Sequence, residues 1–125
     1  MFALTEQHKQ AAGDFSACLA LQTAAGLDLA TDRRIAESHY QLGLAHSGAN
    51  QWSEAVASYR TATAIITARI ASLEKDVAEA KGKNEEEEGL VAMAKELREL
   101  RSLLPEILIK VPHLIFVSFA YLLID

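Results

Sequence analysis

The stretch that most restricts what this chain can become is Ala36 to Ala62, AESHYQLGLAHSGANQWSEAVASYRTA. It reads as two antiparallel helices joined by a tight loop. Leu42 and Gly43 sit together on the first helix, and Ala55, Tyr59 and Ala62 line one side of the second. Gly43 lets the second helix come close, Ala55 fills the crossing point, and Tyr59 plugs the space beyond. Ser47-Gly48-Ala49 is turn material, and Asn50 is the expected N-cap of the second helix.

This order of large, small and aromatic residues resembles a tetratricopeptide repeat. Two departures stand out. His39 and His46 occupy positions that such repeats usually give to a Trp and a Tyr. Thr67 replaces the usual terminal Pro, so the second helix is free to continue. Its apolar positions run on through Trp52, Val56, Tyr59, Thr63, Ile66, Ile70, Leu73, Val77 and Ala80. Steps of three and four alternate, the period of one buried helical stripe.

A matching stripe follows in Leu90, Met93, Leu97, Leu100, Leu104, Ile107 and Val111. The two should fold back on each other as an antiparallel hairpin. Pro105 lies inside the second stripe and should kink the helix or end it at Leu104; a kink is expected, because the stripe continues. Upstream, Thr5 to Gln22 is a further helix, with Ala11, Phe15, Cys18 and Leu19 on one face. Ala11, Phe15 and Cys18 repeat the spacing of Ala55, Tyr59 and Ala62, so this segment reads as the second helix of a preceding repeat. A half repeat must lean on its neighbour, and the chain reads as a piece of a longer array. The helix should break near Gly26, and Asp32 (or Thr31) should cap the next one. Arg33 and Arg34 then fall in a first turn, where the macrodipole disfavours cations.

The expected fold is therefore all-α: a half repeat, one complete tetratricopeptide-type hairpin, an extended helix and a capping antiparallel helix, over residues 1–111. Residues 112–125 are set apart as an apolar tail. That tail is shorter than the roughly 20 residues of a membrane span, and Glu106 and Lys110 interrupt it upstream. A membrane anchor is disfavoured. A buried segment, a self-associating one, and a segment foreign to the fold stay open.

Seventeen acidic against twelve basic residues give a formal net charge of -5. That balance argues against direct contact with nucleic acid and for a basic partner. One cysteine, Cys18, allows no internal disulfide and suits a reducing compartment. No catalytic constellation, phosphate loop or cofactor motif is present, so an enzyme is not expected. His39 and His46 share a helix face, but no third ligand accompanies them, and packing is the expected role for both. Glu85, Glu86, Glu87 and Glu88 form either a solvated loop or an acidic patch for a basic ligand; Glu87 and Glu88 also suit the start of the following helix.

In tetratricopeptide repeats the first helix of each pair lines the concave face. The positions concerned are Glu37, Tyr40, Gln41 and Leu44. A Glu and a Tyr on one face suit a basic peptide, the carboxylate taking Arg or Lys and the ring packing on the side-chain stem.

Four segments together, AESHYQLGLA, QWSEAVASY, the extended IITARIASLEKDVAEA and ELRELRSLLPEI, resemble the SHNi-TPR histone chaperones, the NASP-like family. The resemblance covers roughly residues 11–107. It implies a nuclear, non-enzymatic chaperone in chromatin assembly, with the cytoplasm as a second location. The implied partner is histone H3, often as H3–H4, and related centromeric H3 variants. The family's groove motif places its Glu and Tyr on Glu37 and Tyr40, with Gln41 and Leu44 matching as well. The family's earlier repeats, its acidic insertion and its charged C-terminal extension have no counterpart here. The alternative is a generic tetratricopeptide scaffold for the acidic tail of a heat-shock chaperone. That needs Lys, Arg and Asn on the groove helices, where this chain shows Glu37, Tyr40 and Leu44.

Overall fold

The computed structural model describes residues 2–82 and 87–124. Four helices account for the regular structure: α1 (Phe2–Ala24), α2 (Arg33–Gly48), α3 (Trp52–Gly82) and α4 (Glu87–Ile124). Each packs chiefly against its neighbours in sequence, α1 on α2, α2 on α3 and α3 on α4. The result is an all-α, tetratricopeptide-like run of helical hairpins.

The α2–α3 crossing follows from side-chain size. A Cβ placed on Gly43 would lie 2.6 Å from Tyr59 Cε1, so no larger residue fits without displacing the ring. Ala55 and Ala62 are fully buried on either side of Tyr59, itself 1% exposed. Ile35, Ala36, Ile65 and Ile66 complete this part of the core.

The C-terminal ends of α1 and α2 use one device. At the end of α1, Gly26 takes φ 83°, its N–H donates to Thr23 O, and Leu27 N–H donates to Gln22 O. At the end of α2, Asn50 takes φ 62°, its N–H donates to Ser47 O, and Gln51 N–H donates to His46 O. These are Schellman caps, with the left-handed residue just past the helix. Asn50 therefore closes α2; it does not open α3 as an N-cap. Asparagine suits either role, because it both caps N-termini and tolerates the left-handed region. The break near Gly26 is where the sequence puts it.

α3 continues past Thr67, and its stripe from Trp52 to Ala80 is buried or half-buried throughout. It meets the stripe of α4, where Leu97, Leu100 and Ile107 are buried. Arg69 forks onto Glu96, with Nε–Oε1 at 2.9 Å and Nη2–Oε2 at 3.2 Å, and Arg101 Nη2 reaches Glu74 Oε1 at 2.9 Å. These pairs fix the hairpin's register from outside the seam. They are partly or largely exposed, so each contributes only about 0–1 kcal/mol.

α4 runs through both Pro105 and Pro112 and does not end at Leu104. Each proline removes one ladder hydrogen bond and costs about 3 kcal/mol or more in a free helix. Both side chains lie on the exposed side, and the buried stripe on the other side holds the helix together. α4 also carries straight into the apolar tail, and Leu114 joins the α3–α4 core at 4% exposure. Leu108, Ile109, Ile115 and Phe116 on its other side are exposed. Among the described residues no helix is long and apolar enough to cross a membrane.

α1 is packed on one side only, against α2. Its contact centres on Ala12, Leu42 and Ala45, with Ala11, Phe15 and Leu19 at the edge. Ala12 is thus the best covered among the described side chains of α1, and Phe15 stays half-buried where its counterpart Tyr59 is fully enclosed. The reason is the missing cover on the far side of α1 in this structure. A contact that the periodicity did not suggest holds the pair together: the His8 ring lies against Gly48, where a Cβ would come within 2.4 Å of Nδ1.

Two stability changes are expected. Gly43→Ala should destabilise by about 1–3 kcal/mol, because overpacking against Tyr59 outweighs the roughly 1 kcal/mol gained in helix propensity. Urea unfolding would measure it, and an unchanged midpoint would contradict the crossing described. Cutting the chain after Val111 should lower the melting temperature, since it removes the buried Leu114; a melt at the parent's temperature would show that the tail adds nothing to the core.

Candidate functional site

The exposed face of α2 is positioned by its own N-terminus. Asp32 takes extended backbone (φ -79°, ψ 121°), and its carboxylate accepts the Arg34 N–H at 2.9 Å. The same carboxylate holds the Arg34 side chain, Nη2–Oδ2 at 2.8 Å. One turn earlier, Asp28 accepts from Ala30 N–H and from the Thr31 hydroxyl, both at 2.9 Å, which shapes the connecting loop. Arg33 reaches across to α4 and donates to Glu99 Oε2 at 2.8 Å. The two arginines that defy the helix dipole are therefore both matched by carboxylates within the chain. Hydrogen bonding from Arg34 holds the Asp32 carboxyl below its ordinary value, and that from Arg33 does the same for Glu99.

Glu37, Tyr40, Gln41 and Leu44 follow on this helix. Glu37 is exposed and Gln41 half-buried, and both stand between two depressions. The one facing α4 holds about 170 Å³ and has an apolar floor of Ala36, Tyr40, Ile66 and Leu103. The one facing α1 holds about 260 Å³, bounded by Phe15, Cys18, Gln22, Arg34 and Ser38. Tyr40 is half-buried. Its ring tilts against Tyr59, centroids 5.9 Å apart at 47°, and Lys110 Nζ of α4 sits 6.0 Å from its centroid. Leu44 lies one turn further on, exposed, outside both depressions. The structure thus brings Glu37, Tyr40 and Gln41 together and leaves Leu44 at the margin.

Cys18 is half-buried, with Sγ 3.9 Å from Ser38 Oγ, and the buried Ser38 hydroxyl donates to Gln22 Oε1 at 2.9 Å. His39 is half-buried, and burial lowers its pKa. His46 Nδ1 lies 2.8 Å from Gln51 Oε1 and ties the α2–α3 turn. Among the described residues no three histidine, cysteine or acidic side chains group as metal ligands. Of the glutamate run, Glu85 and Glu86 lie outside the described residues, Glu87 opens α4, and Glu88 is exposed in its first turn. Sequence reasoning missed Lys110 and His8. The i, i+3 and i, i+4 patterns that found the core carry no signal for contacts between distant helices.

The class defined by this fold and face is a tetratricopeptide-like protein with an open, partly apolar surface on the first helix of its complete pair. In sequence the chain is 36% identical over 110 residues to Protein HGV2 of Halocynthia roretzi, covering 88% of this chain and 21% of that protein. It is 43% identical over 82 residues to nuclear autoantigenic sperm protein of Homo sapiens, 66% of this chain and 10% of that one. The Bos taurus protein of the same name is 44% identical over 78 residues, 62% of this chain. The chain spans about a tenth to a fifth of the length of these relatives. No protein-family model matches it. It belongs to the nuclear autoantigenic sperm protein (NASP-like) family.

The cap at Asp32 is open to test. Asp32→Ala should cost about 1 kcal/mol at neutral pH through loss of the N-cap. The folded-state pKa values of Asp32 and Glu99 lie below their ordinary 3.8 and 4.5. Their contribution is therefore present above those values and is lost as pH falls through the lowered ones. Acid titration of the parent should show this loss below about pH 4.5. The Asp32→Ala chain should show a shallower dependence in thermal melts.

Proposed function

We propose that this chain is a non-enzymatic histone chaperone module that binds histone H3, alone or as H3–H4 and including centromeric variants, through the exposed face of α2. It acts in chromatin assembly, with the nucleus as its place of work, in keeping with its mammalian relatives being called nuclear autoantigenic sperm protein. The observation that carries the reading is Glu37. It is exposed, carries no ion pair among the described residues, and borders a depression floored by Tyr40, Ile66 and Leu103. A carboxylate beside a half-exposed aromatic ring takes a cationic side chain with an aliphatic stem. Gln41 adds an amide that bonds to backbone or side chain, and Leu44 extends apolar contact along the helix. The net charge of -5 steers a basic ligand towards the chain. The exposed Glu88, with Glu85, Glu86 and Glu87, adds to that field.

The rival scaffold reading needs a cationic clamp on the same face. Arg33 and Arg34 are the nearest candidates, and both are held by carboxylates of the chain. An acidic peptide would have to displace these pairs.

Titration of the chain with intact H3 and with an acidic chaperone-tail peptide separates the two. H3 should bind, and Glu37→Lys should weaken it about three- to tenfold at low ionic strength, with the loss shrinking as salt is added. Tyr40→Ala should weaken binding with little salt dependence and should also lower the melting temperature, since the ring packs on Tyr59. Binding of H3 by folded Glu37→Lys at the parent's affinity, or preference for the acidic peptide, contradicts the proposal.

A further inference from the structure

Three carboxylates of the α3–α4 hairpin are matched to arginines: Glu74 to Arg101, Glu96 to Arg69 and Glu99 to Arg33. Glu106, exposed on α4, is not among them, and of the unmatched ones it is the carboxylate that borders the α2 side of α4. Lys110 lies one turn further on, in the order that favours an i, i+4 pair. Its ammonium instead points at the Tyr40 ring, and Glu106 carries no ion pair among the described residues.

Glu106 borders a third depression, of about 480 Å³, lined by Leu103 as well. Leu103 and Arg33 line both this depression and the one beside Glu37, so the two form one groove along the line where α4 passes α2. The Arg33–Glu99 pair neutralises itself within that groove, and Arg98 stands at its rim. The groove therefore presents an apolar floor of Tyr40, Ile66 and Leu103, with one unmatched carboxylate on α2 and another on α4. A groove of this composition complements an apolar side chain flanked by cations.

We propose that α4 is the second wall of the ligand groove and that Glu106 is its second carboxylate. The ligand segment it selects carries two basic side chains around one aliphatic one. The inference rests on the histone-binding reading of α2 and adds α4 to it. Nothing in the periodicity of α4 marks Glu106 for this role. It follows from the juxtaposition of α4 with α2 and from the turning of Lys110 towards Tyr40.

The test uses the full chain and intact H3 as the probe. Glu37→Lys, Glu106→Lys and, as a control, Glu79→Lys on an exposed part of α3 would each be titrated at low and high salt, with melting curves to confirm folding. Glu106→Lys should weaken binding about three- to tenfold at low salt and less at high salt, as expected for a charge at the edge of an interface. Glu79→Lys, the same change in net charge, should stay within about twofold. The inference is overturned if Glu106→Lys binds like the parent, or if Glu79→Lys loses as much as Glu106→Lys. Loss in Glu37→Lys with none in Glu106→Lys leaves the α2 reading standing and removes α4 from the site. Loss in Glu106→Lys with none in Glu37→Lys also overturns it, because the groove as described needs both carboxylates.

Discussion

The contact of Tyr59 with the bare backbone of Gly43 sets the geometry of everything around it. At this helix separation the ring is fully enclosed because residue 43 carries no side chain to meet it. That approach brings Ala55 and Ala62 into the crossing and turns the Ile35 and Ala36 side of α2 into the core. It also decides which side of α2 is left over. Glu37 and Gln41 are outside because Ala36 and Gly43 are inside. Tyr40 sits at the boundary, its ring leaning on Tyr59 from the surface side.

The extension of α3 has a second consequence. A repeat helix that stopped at Thr67 would leave α4 little to pack on. With α3 running to Gly82, α4 finds a continuous stripe, and the hairpin carries α4 back past the start of α2. Arg33–Glu99 and Lys110–Tyr40 are the contacts made on arrival. α4 caps the hydrophobic edge of the complete pair and at the same time narrows the face of α2 into a groove. The two prolines of α4 are tolerated because packing supplies the stability that the interrupted ladder lacks.

α1 shows the opposite situation. It repeats the spacing of the second helix of a pair, yet only its α2 side is covered, and Leu4 and Leu21 are exposed. Its attachment depends on a small alanine contact and on His8 against Gly48. Relative to α3 it is the lightly held element.

The sequence alone determined the elements that depend on local periodicity and on residue size. The α2–α3 pair, the length of α3, the α3–α4 hairpin, the break at Gly26 and the cap at Asp32 could all be read from spacing, because 3.6-residue periodicity and cap chemistry are properties of a single segment. Asn50 was legible as a terminus but not as which one, since the same side chain serves both ends. Glu37, Tyr40 and Gln41 could be placed on one face for the same reason of period. Only the tertiary structure decided what lies opposite that face. Arg33 with Glu99, Lys110 with Tyr40, His8 with Gly48 and the burial of Leu114 join residues from different helices, and the register of one helix against another depends on the packing of whole surfaces. No repeat within either helix encodes it.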